Sequence, residues 1–386
     1  MTSAHINTNV LRWAMERAGV GNAELGTVFK KTPEAIAAWL DGTAVPTFKQ
    51  AQRLAKRVRV PFGYLFLEVP PLEELPLTDF RRPYGGVRRE PSVDLRDVIS
   101  DVLRKQDWYR DFRLEREEEA LPFVGRFTIE SSVADVAADI KESLVFEAEV
   151  RWRPQASQFL RAFVRQVEAL GVLVMRNGIV RQATNRALDV DEFRGFSIAD
   201  PMAPVIFINN ADSNAAQVFT LAHELAHVWI GRGGISDADL TLFREGADDV
   251  EAFCNEVAGE LLLPWVRLDA RWRDRTAPAA DWMADVARDF HVSTVMVARQ
   301  LWLHEAIDRE QFFQFYEAEK ANWVTKGTKS SGGNFYLSAP IRNSRLLTEA
   351  ILESVSAAET SIREASRLLG VKPANLSKLE ESMGVG

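Results

Sequence analysis

The sequence His-Glu-Leu-Ala-His at residues 223–227 restricts the fold and chemistry of this chain more than any other feature. On an α-helix, His223 and His227 lie one above the other on the same face. Two imidazoles placed in this way can hold one Zn²⁺ at roughly 2.0–2.1 Å each, and Glu224 can act on water as a general base. The apolar residues around the motif predict a buried helix over 215–230 rather than an exposed helix with two surface histidines. Because buried histidines need partners, we expect one zinc ion per chain.

A catalytic zinc needs a third protein ligand and an open fourth position. The helix predicted over 249–263 offers three glutamates, Glu251, Glu256 and Glu260. At roughly 100° per residue, Glu260 points about 180° away from Glu251 and Glu256 about 140° away, so at most one of them faces the metal. Glu251 shares its face with Asn255, and we therefore predict Glu251 as the ligand and Asn255 as an amide supporting it. A second role for Glu251, as an acid that stabilises the first turn of its helix, is compatible with this.

The two segments FTLAHELAHVWIG (219–231) and VEAFCNEVAGELLLP (250–264) resemble the ImmA/IrrE family of zinc metallopeptidases. In that family the helix with two histidines is followed by a helix that opens with the ligand glutamate and carries an asparagine. The resemblance places these on Glu251 and Asn255 and extends over about residues 150–270. Many relatives have Glu-Ala where this chain has Phe253-Cys254, so Cys254 is expected to be a packing residue. The resemblance implies an endopeptidase that cleaves a repressor or another regulatory protein in a stress or phage-related response.

The predicted fold class is mainly α with a small β-sheet. Apolar runs predict strands at 172–175 and 205–208, a weaker one at 196–198, and a strand-like stretch at 335–337. The strand at 205–208 directly precedes the motif helix, and we expect it to bind an extended substrate by strand addition.

Four regions are predicted along the chain. They are a helix-turn-helix domain of five short helices at 1–68, a linker and helical connector at 69–145, a zincin-like metallopeptidase domain at 146–270, and a helical C-terminal domain at 271–386. The linker is the Pro- and Gly-rich stretch 67–92, and a Gly/Ser/Lys loop is predicted at 326–333.

The front region is basic, although the whole chain has a net charge of −8. Residues 1–60 hold nine Lys and Arg against four Asp and Glu, and their sequence resembles an XRE-type helix-turn-helix, whose third helix reads the DNA major groove. The corresponding segment 32–41 presents Glu34 and alanines, so we expect poor direct readout of bases. The alternative is a helical module used for dimerisation or partner contact. The cations predicted to contact DNA phosphates are Lys30, Lys31, Lys49, Arg53, Lys56 and Arg57.

Two functions from different classes follow from these patterns. The first is a regulatory zinc endopeptidase, whose partner is a regulatory protein or peptide substrate. The alternative is a DNA-binding regulator or antitoxin-like protein that uses the zinc fold as a scaffold and binds DNA, a second copy of itself or a toxin-like partner. The complete set of metal ligands together with Glu224 favours the enzyme, since a structural zinc site does not need that glutamate.

The remaining features predict where the chain works and which histidines are ordinary. No apolar run is long enough to span a membrane, the N-terminus lacks signal-peptide features, and there is one cysteine, so we expect the cytoplasm. His291 and His304 are predicted to be helix histidines without a metal.

Overall fold

The computed structural model describes residues 2–72, 74–81, 90–145, 155–236, 249–323 and 335–384. The chain forms two compact units, Met1–Pro76 with Arg89–Asp97 and Leu77–Arg88 with Val98–Gly386. The finer division into four regions stays a prediction. The predicted loop 326–333 and part of the predicted linker 67–92 lie outside the described residues.

The first unit consists of short helices around one apolar core. Leu11, Ile36, Trp39 and Leu54 are among its buried side chains. Thr32 accepts a hydrogen bond from the backbone of the third helix, whose first residue is a proline, so this helix begins where the sequence predicts it. The helices are α1 (Thr8–Arg17), α2 (Asn22–Phe29), α3 (Pro33–Leu40), α4 (Phe48–Arg57) and a 3₁₀ helix (Phe62–Phe66).

The second unit contains a mixed five-stranded sheet. Its strands are β1 (Thr78–Asp79), β2 (Leu173–Asn177), β5 (Gly195–Ile198), β6 (Val205–Asn209) and β7 (Gly234–Ser236), in the order β1-β7-β5-β6-β2. A separate hairpin joins β3 (Ile179–Val180) to β4 (Ala183–Ala187). The sequence predicts β2, β5 and β6 but not β1 or β7, and β1 comes from the stretch predicted as a linker.

Strand β6 lies inside the sheet rather than at its edge. It pairs with β5 on one side, antiparallel, and with β2 on the other, parallel. Both rows of its backbone hydrogen-bonding groups are therefore used. The expectation that residues 205–208 bind a substrate by strand addition is wrong, because strand addition requires a free edge.

Helices surround this sheet, which confirms the predicted fold class. Apolar side chains of β2, β6 and the helices next to them form one core, with Phe163, Val174, Ile206, Leu225 and Leu261 among its members. Among the described helices, none is both long enough and apolar enough to cross a membrane. The helices are α5 (Val93–Glu115, with residues in both units), α6 (Val133–Ser143), α7 (Ala156–Ala169), α8 (Asn214–Trp229), α9 (Asp249–Leu262), α10 (Trp265–Arg273), α11 (Ala279–Phe290), α12 (Thr294–Leu303), α13 (Arg309–Trp323), α14 (Phe335–Asn343), α15 (Arg345–Ser356), α16 (Ile362–Leu369) and α17 (Leu376–Met383).

The strand-like stretch predicted at 335–337 is instead the first turn of α14. A run of three apolar residues fits a strand or a helix, and the residues after it decide between them. Here the helix continues through the buried Ala339 to Asn343 and packs against β2.

Candidate metal centre

Helix α8 carries the two histidines through the centre of the second unit. Ser213 caps its first turn by accepting a hydrogen bond from the backbone N–H of Ala216 at 3.2 Å. Gly231, in the left-handed backbone region, directly follows its C-cap. Every residue from Gln217 to Trp229 is buried, so the histidines lie inside the protein as the sequence predicts.

Helix α9 brings Glu251 against both histidines. The Nε2 atoms of His223 and His227 are 3.0 Å apart, and the Glu251 carboxylate lies 3.4 Å from the first and 3.1 Å from the second. Tetrahedral zinc with bonds of roughly 2.0–2.1 Å places its ligand atoms about 3.3 Å from one another. The three side chains are buried together and their spacing fits one such ion.

The donor atoms also fit a metal chemically. Two imidazoles and a carboxylate are a common ligand set of catalytic zinc. The Nδ1 atom of His227 donates to the carbonyl of Arg232 at 2.8 Å, which orients the ring so that Nε2 faces the cluster. Burial opposes ionisation of Glu251, but the two histidines outweigh burial and lower the pKa of Glu251 to about 2. The carboxylate is therefore held in the ionised form that binds a metal.

Glu224 lies beside this cluster and is itself fully buried. Its Oε1 atom accepts a hydrogen bond from the hydroxyl of Ser236 on β7. Its Oε2 atom has no hydrogen-bond partner within the described part of the chain. Burial raises the pKa of Glu224, whereas His227, His223 and the Ser236 hydroxyl lower it. One carboxylate oxygen is thus fixed by the protein, and the other is left to take a proton.

Gly195 on β5 gives Glu224 its space. A Cβ atom at this position would lie 2.6 Å from the Thr220 methyl, 2.9 Å from the Phe207 carbonyl oxygen and 3.1 Å from Glu224 Oε1. The sheet and α8 therefore approach each other at a distance that only glycine allows.

Phe80, which follows β1, stacks on the ring of His227 with 5.5 Å between ring centroids. Its backbone N–H donates to the carbonyl of Ile235 on β7 at 3.0 Å, so it continues the pairing of β1 with β7. The sequence patterns do not predict Phe80, Ser236 or Gly195 at this site, because each reaches it through strand pairing with residues distant in sequence.

Three other polar residues of α9, Asn255, Cys254 and Glu260, differ in their surroundings. Asn255 is buried one turn after Glu251. Cys254 is buried with its thiol beside His227, and burial raises the pKa of this thiol. Glu260 instead accepts a hydrogen bond from the backbone of Trp265 at 3.1 Å. Among the three glutamates of α9, the one that joins the histidines is Glu251.

The other candidate residues lie away from this cluster. His304 stacks on Trp265, and His291 packs against Phe159. In the first unit, Arg57 forms an ion pair with Glu24. The neighbouring cations divide into Arg53 and Lys31, which pack against aromatic rings, and Lys30, Lys49 and Lys56, which are exposed. The role of all six in binding DNA stays a prediction.

Comparison with known proteins gives one family match. Residues 167–302, about a third of the chain, match the family model described as IrrE N-terminal-like domain (Peptidase_M78). No curated protein matches the chain. The matched region includes both histidines, Glu224, Glu251 and Asn255, and it does not include the front module. The second unit therefore carries an IrrE N-terminal-like domain, and its buried His-His-Glu group is consistent with a zinc metallopeptidase.

Proposed function

We propose that the chain is a zinc-dependent endopeptidase that cleaves a regulatory protein. The observation that carries the proposal is the triangle of His223, His227 and Glu251, with the unpaired oxygen of Glu224 beside it. These three ligands would hold zinc, which would act as a Lewis acid. It would polarise the substrate carbonyl and lower the pKa of water at the site.

Glu224 performs the proton transfers in this proposal. Its Oε2 atom accepts a proton from the attacking water and passes it to the amine that leaves when the peptide bond breaks. The Ser236 hydroxyl holds Oε1 and so fixes the orientation of the carboxylate. A site that only stabilised the fold would need no base at this position, which favours the enzyme over a scaffold.

The sheet order supports a proposal for the position of an extended substrate. Strand β6 is internal, and β1 and β2 are the two outer strands of the sheet. Phe80, just after β1, stacks on His227, so β1 is the outer strand next to the histidines. We place the substrate along β1 or in the position of β1. Because His223, His227 and Glu224 are all fully buried, Phe80 would have to move away to admit it. The regulatory nature of the substrate rests on the family resemblance and on the basic front module.

The test is cleavage of candidate regulators by the purified, zinc-loaded chain. Proteins encoded by neighbouring genes serve as substrates, and mass spectrometry identifies the bond that is cut. Glu224→Gln should keep zinc and lower the cleavage rate roughly 10²–10⁴-fold, because an amide cannot accept the proton. Glu256→Gln, on α9 but outside the cluster, is the matched control and should cleave at the wild-type rate.

Two results would contradict the proposal. One is equal cleavage by wild type and Glu224→Gln, which would remove Glu224 from the chemistry. The other is a zinc-loaded wild-type chain that binds a neighbouring-gene product tightly and never cuts it, which would favour the scaffold function.

A further inference from the structure

The second unit contains a cleft of about 410 Å³ that shares no residue with the metal cluster. Helices α7 and α14, strand β2 and the first residue of α15 line it, together with Met383 at the end of α17. Its volume lies within the range of sites that hold small molecules, roughly 300–1,000 Å³.

Positive charge dominates the lining of this cleft. Four arginines, Arg161, Arg165, Arg176 and Arg345, face one acidic residue, Glu168. The carboxylate of Glu168 is already occupied: it accepts hydrogen bonds from the Ser344 hydroxyl at 2.5 Å and from the first backbone N–H groups of α15. The Glu168 carboxyl group is thus hydrogen-bonded to a helix N-terminus rather than to a guanidinium.

Arg176 is the buried arginine of this group. Its side chain is 8% exposed, and its Nε and Nη2 atoms donate to the amide oxygen of Gln217 at 3.1 and 2.9 Å. Burial, with a contribution from the nearby Arg161, outweighs the opposing charge of Glu168 and lowers the pKa of Arg176 to about 10. The Gln217 amide is neutral, so it does not neutralise the buried positive charge of Arg176. An anion that entered the cleft would do so.

The arginines nearer the mouth do not supply that charge among themselves. Within the described residues, neither Arg161 nor Arg165 forms an ion pair, and Arg161 donates to the carbonyl of Ser157 at 3.1 Å. Arg345 pairs with Glu349 at 2.7 Å. Within the part of the chain that the structure describes, three of the four guanidiniums in the cleft therefore form no ion pair with a carboxylate.

The rest of the wall is apolar. Leu337 and Ile341 on α14 are exposed although both line the cleft. An inorganic anion would leave this surface uncovered, whereas an apolar chain attached to the anion would cover it. The apolar lining residues are Val164, Val174, Leu337, Pro340, Ile341 and Met383.

We infer that the cleft binds a small amphiphilic anion, with a carboxylate or phosphate head on Arg176, Arg161 and Arg165 and an apolar body along α14. Guanidiniums suit both head groups, since each presents two oxygens to the planar N–H fork. The inference concerns binding alone and does not depend on peptidase activity.

Isothermal titration calorimetry tests this on the full chain with octanoate and octyl phosphate as probes. At least one should bind saturably with one site per chain, and the tighter of the two identifies the head group. 1-Octanol, which lacks the charge, and inorganic phosphate, which lacks the apolar body, should each bind at least tenfold more weakly. A factor of ten corresponds to about 1.4 kcal/mol.

The variant Arg161→Gln/Arg165→Gln changes two exposed side chains and should weaken binding at least tenfold. Arg363→Gln, an exposed arginine on α16 outside the cleft, is the matched control and should bind like wild type. No saturable binding of either probe below about 1 mM would overturn the inference. So would 1-octanol binding as tightly as octanoate, unchanged binding by the double variant, or tighter binding of an acidic peptide than of both probes.

Discussion

Glu251 and Glu168 are two buried carboxylates of the same compact unit, and the protein surrounds them differently. Glu251 faces the Nε2 atoms of two histidines, which hold its pKa at about 2. Glu168 faces the Ser344 hydroxyl and the N-terminus of α15, and burial raises its pKa to about 7. The first carboxylate belongs to a group of potential metal ligands, and the second is a helix cap.

The surroundings of the two carboxylates distinguish a binding site from a structural buried charge. Around Glu168 the chain supplies hydrogen-bond donors, so nothing further is required to satisfy it. Around Glu251 three ligand atoms converge at the spacing of a tetrahedral ion, and an ion is what completes them. Burial alone does not distinguish the two glutamates.

The largest stability effect is expected at Glu168. A carboxyl whose folded pKa is raised from 4.5 to about 7 stabilises the fold fully below its unfolded pKa and loses that contribution as pH rises through about 7. The loss amounts to at most about 3 kcal/mol. Urea unfolding at pH 5 and pH 8 should show wild type losing more stability than Glu168→Gln. The exposed Glu381→Gln should follow wild type, and equal losses in wild type and Glu168→Gln would contradict this assignment.

A smaller effect on stability is expected at Gly195, where the metal region is tightly packed. Gly195→Ala places a methyl against Thr220 and the Phe207 carbonyl, which should cost about 1–3 kcal/mol. The same methyl approaches Glu224, so the cleavage rate should fall while zinc is retained. Gly63→Ala, where the added methyl meets open space, is the control for denaturant unfolding and should change stability far less. A fully stable and active Gly195→Ala would show that β5 and α8 are not in such close contact.

The smallest change in free energy is expected in the first unit, because the DNA binding predicted there is weak. We predict weak, salt-sensitive DNA binding with little sequence preference, since phosphate contacts carry no sequence information. Reversing the charge of Lys49, Arg53 and Arg57 together should abolish it, whereas Glu34→Ala should leave it intact or strengthen it. Titration of labelled duplexes at low and near-physiological salt measures this. Tight binding to one duplex that survives the higher salt would contradict it.

The sequence predicts those parts of the fold that depend on local pattern. Helices α8 and α9 follow from their apolar period and from Gly231 and Pro264, which come shortly after their last residues. Strands β2 and β6 begin with apolar runs and are buried on both faces. Strands β1 and β7 are two and three residues long, too short to leave a pattern. They exist through strand pairing, β1 with β7 and β7 with both β1 and β5. The prediction of a strand at the first turn of α14 is wrong because three apolar residues do not distinguish a strand from a helix.

The candidate site divides in the same way. Residues His223, His227 and Glu251 are predictable because helical geometry fixes which side chains share a face. Ser236 and Phe80 are not, because they reach Glu224 and His227 through the pairing of β7 with β5 and β1. The arginine cleft is also unpredictable, because its residues come from two distant parts of the chain, 158–176 and 336–383, and each segment alone is an ordinary helix or strand.

Metal analysis of the purified protein shows whether Glu251 and the two histidines bind zinc. Inductively coupled plasma mass spectrometry should find about one zinc per chain in wild type. Glu251→Ala should lose most of it, and Glu256→Ala, on the same helix but outside the cluster, should keep it. A wild-type chain without transition metal after metal-replete expression, or zinc lost from Glu256→Ala and kept by Glu251→Ala, would contradict the account.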